Sequence, residues 1–128
     1  MNFRIKKQYI MILLLGVFVA CGKEKDSYSE AEIEKASAEL NQYFEKEFQK
    51  DVDDSPMLQT RLGDKTNYGK WDDLSHLKYA EDLKKAKKRL EYLKKVDVEA
   101  LNEETRLSYR LYKQQIENEI ADYEYRFY

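Results

Sequence analysis

Beyond Gly22, every proline and glycine of this chain is gathered in one place. The only proline is Pro56, and two of the four glycines, Gly63 and Gly69, follow it within SPMLQTRLGDKTNYGKWDDLS, Ser55–Ser75, which also holds the only tryptophan, Trp71. A many-stranded sheet needs frequent turns, and turns draw on Gly and Pro. A chain that spends its breakers in one corner keeps long uninterrupted segments on either side. Apolar residues at three- and four-residue steps make such segments helices. The expected fold is all-α: three long helices, with a short helix and a loop forming the corner between the first two, preceded by a signal peptide.

The helix boundaries are readable from capping chemistry. Ser29 and Glu32 have the spacing of a capping box at the start of the first helix, and Ile33, Ala36, Leu40, Phe44 and Phe48 form its expected inner face. That helix should end before Pro56, because a residue preceding proline is biased away from helical geometry. Ser55 then caps a short helix with Pro56 at its first position, and Gly63 closes it in a left-handed conformation. Met57, Leu58 and Leu62 are expected to cover the core, and Asp64–Trp71 to form a loop. A second long helix is expected from about Leu74 to Lys95 with the stripe Tyr79, Leu83, Ala86, Leu90 and Leu93, capped by Asp72, Asp73 or Ser75. Asn102 caps a third, with Tyr109, Tyr112, Ile116, Ile120, Tyr123 and Phe127 on its main face and Leu107 and Leu111 beside it. No Gly, Asn or Pro stop follows Ile120, so this helix is expected to dock on further structure.

The first twenty residues read as a leader. Arg4, Lys6 and Lys7 precede the apolar run Tyr9–Ala20, whose 12 residues fall short of the ~20 that span a bilayer. Cys21 stands next, between Ala20 and Gly22, in the arrangement of a bacterial lipobox, with Phe18 where Leu is preferred. Cys21 is the only cysteine, so no internal disulfide is available, and a lipid thioether accounts for its presence and position. The expected organisation is 1–20 lipoprotein signal peptide, 21–28 polar tether and 29–128 helical segment of a larger domain. Without the leader, 20 basic residues face 25 acidic ones, a balance of about −5. Membrane attachment is then expected through the lipid on Cys21 rather than through a basic patch. The lysine-rich second helix reads as a solvated face, and no nucleic-acid partner is expected.

Sites for chemistry are sparse. The single histidine, His76, with Asp72 and Asp73 beside it, has the composition of a base and its orienter, but its place at a helix start reads as structural. DVDDS, Asp51–Ser55, has the alternating acids of a calcium loop without its central Gly or its twelfth-position Glu. LGDKTNYGK misses the spacing of a phosphate loop by one residue and follows no strand. Trp71 and Tyr68 are expected to plug the corner onto the helices, with a sugar-stacking platform as the alternative. No catalytic, cofactor-binding or metal-ligating residue is assigned.

An ordered set of motifs remains. YFEKEFQKDVDDSP precedes MLQTRLGDKTNYGKWDDLS, and LKKVDVEALNEETRLSYRLYKQQIENEI follows. This order resembles the N-terminal part of the bacterial family called domain of unknown function 885. Ser55, Pro56, Thr60, Leu62, Gly63, Asp64, Asp73 and Ser75 match its S-P, T-x-L-G-D and D-x-S elements. Leu101, Glu104, Arg106, Leu107, Tyr109 and Leu111 match L-x-x-E-x-R-L-x-Y-x-L. The resemblance covers about residues 35–128. It implies a secreted or lipid-anchored zinc metallopeptidase of the H-E-x-x-H type, with zinc and the catalytic groups in a region downstream of the matched one. The chain would then be an N-terminal fragment held at a bacterial membrane, with the remainder of the catalytic domain as its partner. The alternative is a complete small helical envelope lipoprotein that binds or supports other components.

Overall fold

The structure, a computed structural model, describes residues 28–125. The expected leader, Cys21, all of the expected tether except Tyr28, and Phe127 and Tyr128 lie outside the described residues. Within them the architecture is all-α: α1 (Glu30–Asp54), α2 (Pro56–Arg61), α3 (His76–Leu93), a 3-10 turn (Val98–Ala100), α4 (Glu103–Asp122) and a second 3-10 turn (Tyr123–Tyr125). Three of the helices are long and one is short, and there is no strand among the described residues. None of the described helices is long and apolar enough to cross a membrane.

Local chemistry sets the ends. The Ser29 hydroxyl accepts from the Glu32 amide, and the Glu32 carboxylate accepts from the Ser29 amide at 2.8 Å, a reciprocal pair that satisfies two donors with no intrahelical partner. Ser55 ends α1 and caps α2, accepting from the Leu58 amide at 3.0 Å. Ser75 caps α3 and Asn102 caps α4. Gly63 and Gly69 have φ of 91° and 88°, a conformation that side chains with a Cβ rarely adopt.

α3 and α4 form an antiparallel hairpin across the loop that contains the first 3-10 turn. Tyr109 of α4 donates its hydroxyl to the Leu93 carbonyl at 3.2 Å. α1 packs across this hairpin near the loop. Leu40, Leu93, Leu101 and Tyr109 make the buried cluster, with Ala36, Phe44 and Tyr112 packed against it. Two buried hydroxyls complete the joint: Ser37 accepts from the Asn102 amide at 2.9 Å, and Thr105 accepts from Asn41 at 3.1 Å. Tyr28 adds a link at the same end, donating its hydroxyl to Asp97.

Several side chains lie elsewhere than expected. Phe48 is exposed, because the inner face of α1 turns after Phe44 through Glu47 and Asp51 to the buried Val52. Met57, Leu62, Leu107 and Leu111 are exposed as well. α3 begins at His76 and leaves Leu74 outside it. Trp71 does not plug the corner: it is 80% exposed and Tyr68 is 74% exposed. The corner is closed by polar contacts, and neither ring is needed for closure. α4 passes from α-helical to 3-10 geometry after Asp122.

Candidate functional site

The least ordinary chemistry of the described residues lies on the seam between α1 and α3. Arg89 sits on the inner side of α3, between Ala86 and Leu93, and is only 7% exposed. Its Nε donates to Glu47 at 2.8 Å, and its two terminal nitrogens donate to the two Asp51 oxygens at 3.1 and 2.6 Å. Glu47 and Asp51 are four residues apart on α1, so one helical turn presents both carboxylates to a single guanidinium. Burial works against the charged Arg89, but the bonds to Asp51 and Glu47 outweigh it and raise its pKa.

Further along the seam, Asp54 at the end of α1 pairs with Lys85 and, at 3.3 Å, with Lys78. Lys78 also meets Asp82 at 3.1 Å. On the other side of Arg89, Tyr43 and Tyr92 stack with centroids 3.8 Å apart and planes 21° from parallel. Burial, with Glu47 adding to it, pushes the Tyr43 phenol up to about 12. Burial likewise raises Tyr112, whose hydroxyl is buried without a hydrogen-bond partner. Between the two helices lies an open groove of about 540 Å³, walled by the tyrosine pair and by Glu47, Lys85, Lys88 and Arg89.

Every nitrogen of Arg89 is engaged with α1, so the arrangement is a clamp that joins two helices. It predicts a definite pH dependence. Burial alone would raise the Glu47 pKa, but bonds from Lys50 and Arg89 outweigh it and hold it below the usual carboxylate value. The bond from Lys85 leads in lowering Asp54. A carboxyl group lowered in the folded state adds stability above its unfolded pKa and loses it as pH falls through the folded value. Stability is therefore expected to be level above about pH 5 and to decline below about pH 4, readable as the urea midpoint against pH.

The second cluster is the corner. Gln59 is buried; its amide nitrogen donates to the Val52 carbonyl at 2.9 Å, and its oxygen accepts from Asn67 at 2.7 Å. Asp72 accepts from the Ser55 hydroxyl at 2.8 Å and from the Met57 amide at 3.0 Å. These contacts tie the loop back to the junction of α1 and α2 and leave Trp71 and Tyr68 outside.

The sequence candidates separate accordingly. Asp72 holds the start of α2, and Asp73 caps a turn by accepting from the Ser75 amide at 2.8 Å; His76 opens α3 on the surface. Asp51, Asp53 and Asp54 lie in the last turns of α1, not in a loop, and accept from Arg89, Gln49 and Lys85 respectively. Among the described residues no three His, Cys, Asp or Glu side chains are grouped to hold a metal ion. Sequence reading missed Arg89 and Gln59. The signal for Arg89 was its place on the apolar stripe of α3, three residues after Ala86 and four before Leu93.

Comparison with family models matches residues 56–128 to a family described as a bacterial protein of unknown function, DUF885. Comparisons with curated proteins and with solved structures give no match. The matched span holds α2, the corner, α3 and α4, and α1 precedes it. That span is more than half of the chain and carries both the T-x-L-G-D turn and the Tyr109 helix that joins the core, so the chain belongs to the DUF885 family.

Proposed function

We propose that this is the lipid-anchored, N-terminal helical part of a bacterial cell-envelope protein of the zinc-dependent hydrolase kind, and that the described helices support the chemistry without carrying it. The leader pattern ending at Cys21 supports the anchor. The observation that carries the supporting role is how the charged groups are used. The buried ones are spent fastening α1 to α3, while Leu107 and Leu111, one turn apart on α4, stay exposed. An apolar pair of this kind suits packing against further helices of the same protein. The zinc and the peptide-cleaving groups belong, in this reading, to that further region.

Lipid attachment is tested by metabolic labelling with a fatty acid in a bacterial host. The wild-type chain takes the label and sediments with membranes; Cys21→Ser is expected to lose all of the label and most of the membrane fraction. Equal labelling of both proteins would remove the anchor. Zinc-dependent peptide cleavage by residues 22–128 alone would overturn the supporting role.

A second reading, a small helical envelope module that binds or supports other components, is favoured by the closed joint around Leu40, Leu93, Leu101 and Tyr109. It predicts a soluble species of residues 22–128 that melts cooperatively.

A further inference from the structure

The corner between α1 and α3 presents an unusual surface. Within Tyr68–Leu77, Trp71 is 80% exposed, Leu77 79%, Tyr68 74% and Leu74 72%. Leu62 and Met57 of the same corner are exposed too, and the antiparallel hairpin brings exposed Tyr125 to this end of the molecule. These groups are not on a loose loop: the Gln59–Asn67 bond, the two bonds to Asp72 and the two left-handed glycines hold the corner in shape.

We propose that this corner is a second membrane contact, whose indole, phenol and leucines settle into the interfacial layer of a bilayer. The proposal rests on the Cys21 anchor, which holds the corner near lipid and makes a weak second contact sufficient. Trp and Tyr suit the headgroup boundary because each joins an apolar ring to a polar tip, and binding there grows with the apolar area buried. The acids of the corner are engaged: Asp64 by Thr66, Asp72 by Ser55 and Met57, Asp73 by Ser75. Arg61, Lys65 and Lys70 stand exposed in the same corner, and basic side chains are common at this depth. The leucines decide between lipid and sugar. A sugar platform uses ring faces with polar groups beside them, whereas Leu74 and Leu77 gain only from an apolar surface, which the Cys21 anchor of the proposed function would supply as lipid.

Chain reach sets the posture. From Cys21 to Tyr28 an extended chain covers about 25 Å, and the 25 residues of α1 measure about 37 Å. With the lipid at one end of α1 and the corner at the other, both can touch the membrane only if α1 lies inclined or flat along it.

Trp71 is the only tryptophan, so its fluorescence reports on the corner directly. The full-chain protein, purified from membranes, is placed in phosphatidylcholine vesicles with and without bromine on the acyl chains. The expected result is a blue shift on transfer from detergent-free buffer to vesicles and a clear loss of emission with brominated lipid, as an indole at the headgroup boundary requires. Leu74→Ser with Leu77→Ser is expected to abolish most of the quenching while the circular dichroism stays unchanged. Emission that stays at the water-exposed position and escapes quenching overturns the proposal. So does emission already shifted before vesicles are added, which would mean that protein covers the corner, and so does a shift that follows protein rather than lipid concentration. Mass spectrometry of the N-terminal peptide in the same sample reads the Cys21 lipid separately, so loss of the anchor and loss of the corner contact are told apart.

Discussion

Arg89→Met is expected to lower stability by about 3 kcal/mol, measured by urea unfolding of residues 22–128. The guanidinium is buried and bridges Glu47 and Asp51, so its loss leaves two carboxylates facing each other across one helical turn, and the Glu47 side chain is only 12% exposed. Breaking a buried charge pair costs more than the pair contributes, because Glu47, with little water around it, keeps only its bond from the exposed Lys50, while Asp51 falls back on solvent. The companion variant separates these terms. Arg89→Met with Glu47→Leu removes both buried charges and is expected to recover more than half of the loss. If the double variant is as unstable as the single one, the seam depends on packing around Arg89 and not on its charge.

Leu93→Ala is expected to cost about 3–4 kcal/mol. Leu93 is fully buried among Leu40, Leu101 and Tyr109, where α1, the connecting loop and α4 meet. Truncation opens a cavity that all three elements border, and the capped helices around it have little freedom to collapse. Leu111→Ala, at an exposed site on α4, is the control and should change stability by less than about 0.5 kcal/mol. Equal effects at both positions would contradict the placement of the core.

What the sequence disclosed follows the range of the interactions involved. The boundaries at Ser29, Ser55, Asn102 and Gly63 were legible because each depends on atoms within three or four residues: a hydroxyl or amide oxygen reaching a nearby N–H, or a backbone angle that glycine tolerates. The inner face of α1 was legible only as far as Phe44. Beyond it the pattern continued to Phe48, but the structure turns Glu47 and Asp51 inward. What makes this tolerable is Arg89, 42 residues away from Glu47, and periodicity carries no record of such a partner. Trp71 was misread for a related reason. An apolar ring in a loop is ordinarily drawn inward, but Gln59 and Asp72 already close the corner with hydrogen bonds.

The family match begins at Pro56, after α1, yet the structure fastens α1 to the matched helices through Leu40, Ser37, Asn41 and the Arg89 clamp. α1 is thus part of the same folding unit as the hairpin. Leu107 and Leu111 are then an exposed apolar pair on that unit, the surface that the proposed supporting role would use.

Hydrogen–deuterium exchange on residues 22–128 tests that unity most directly. The amides around Leu40 in α1 and those around Leu93 and Tyr109 should exchange with the same free energy of opening, and Arg89→Met should lower all of them together. Rapid exchange along α1 while α3 and α4 remain protected would contradict it.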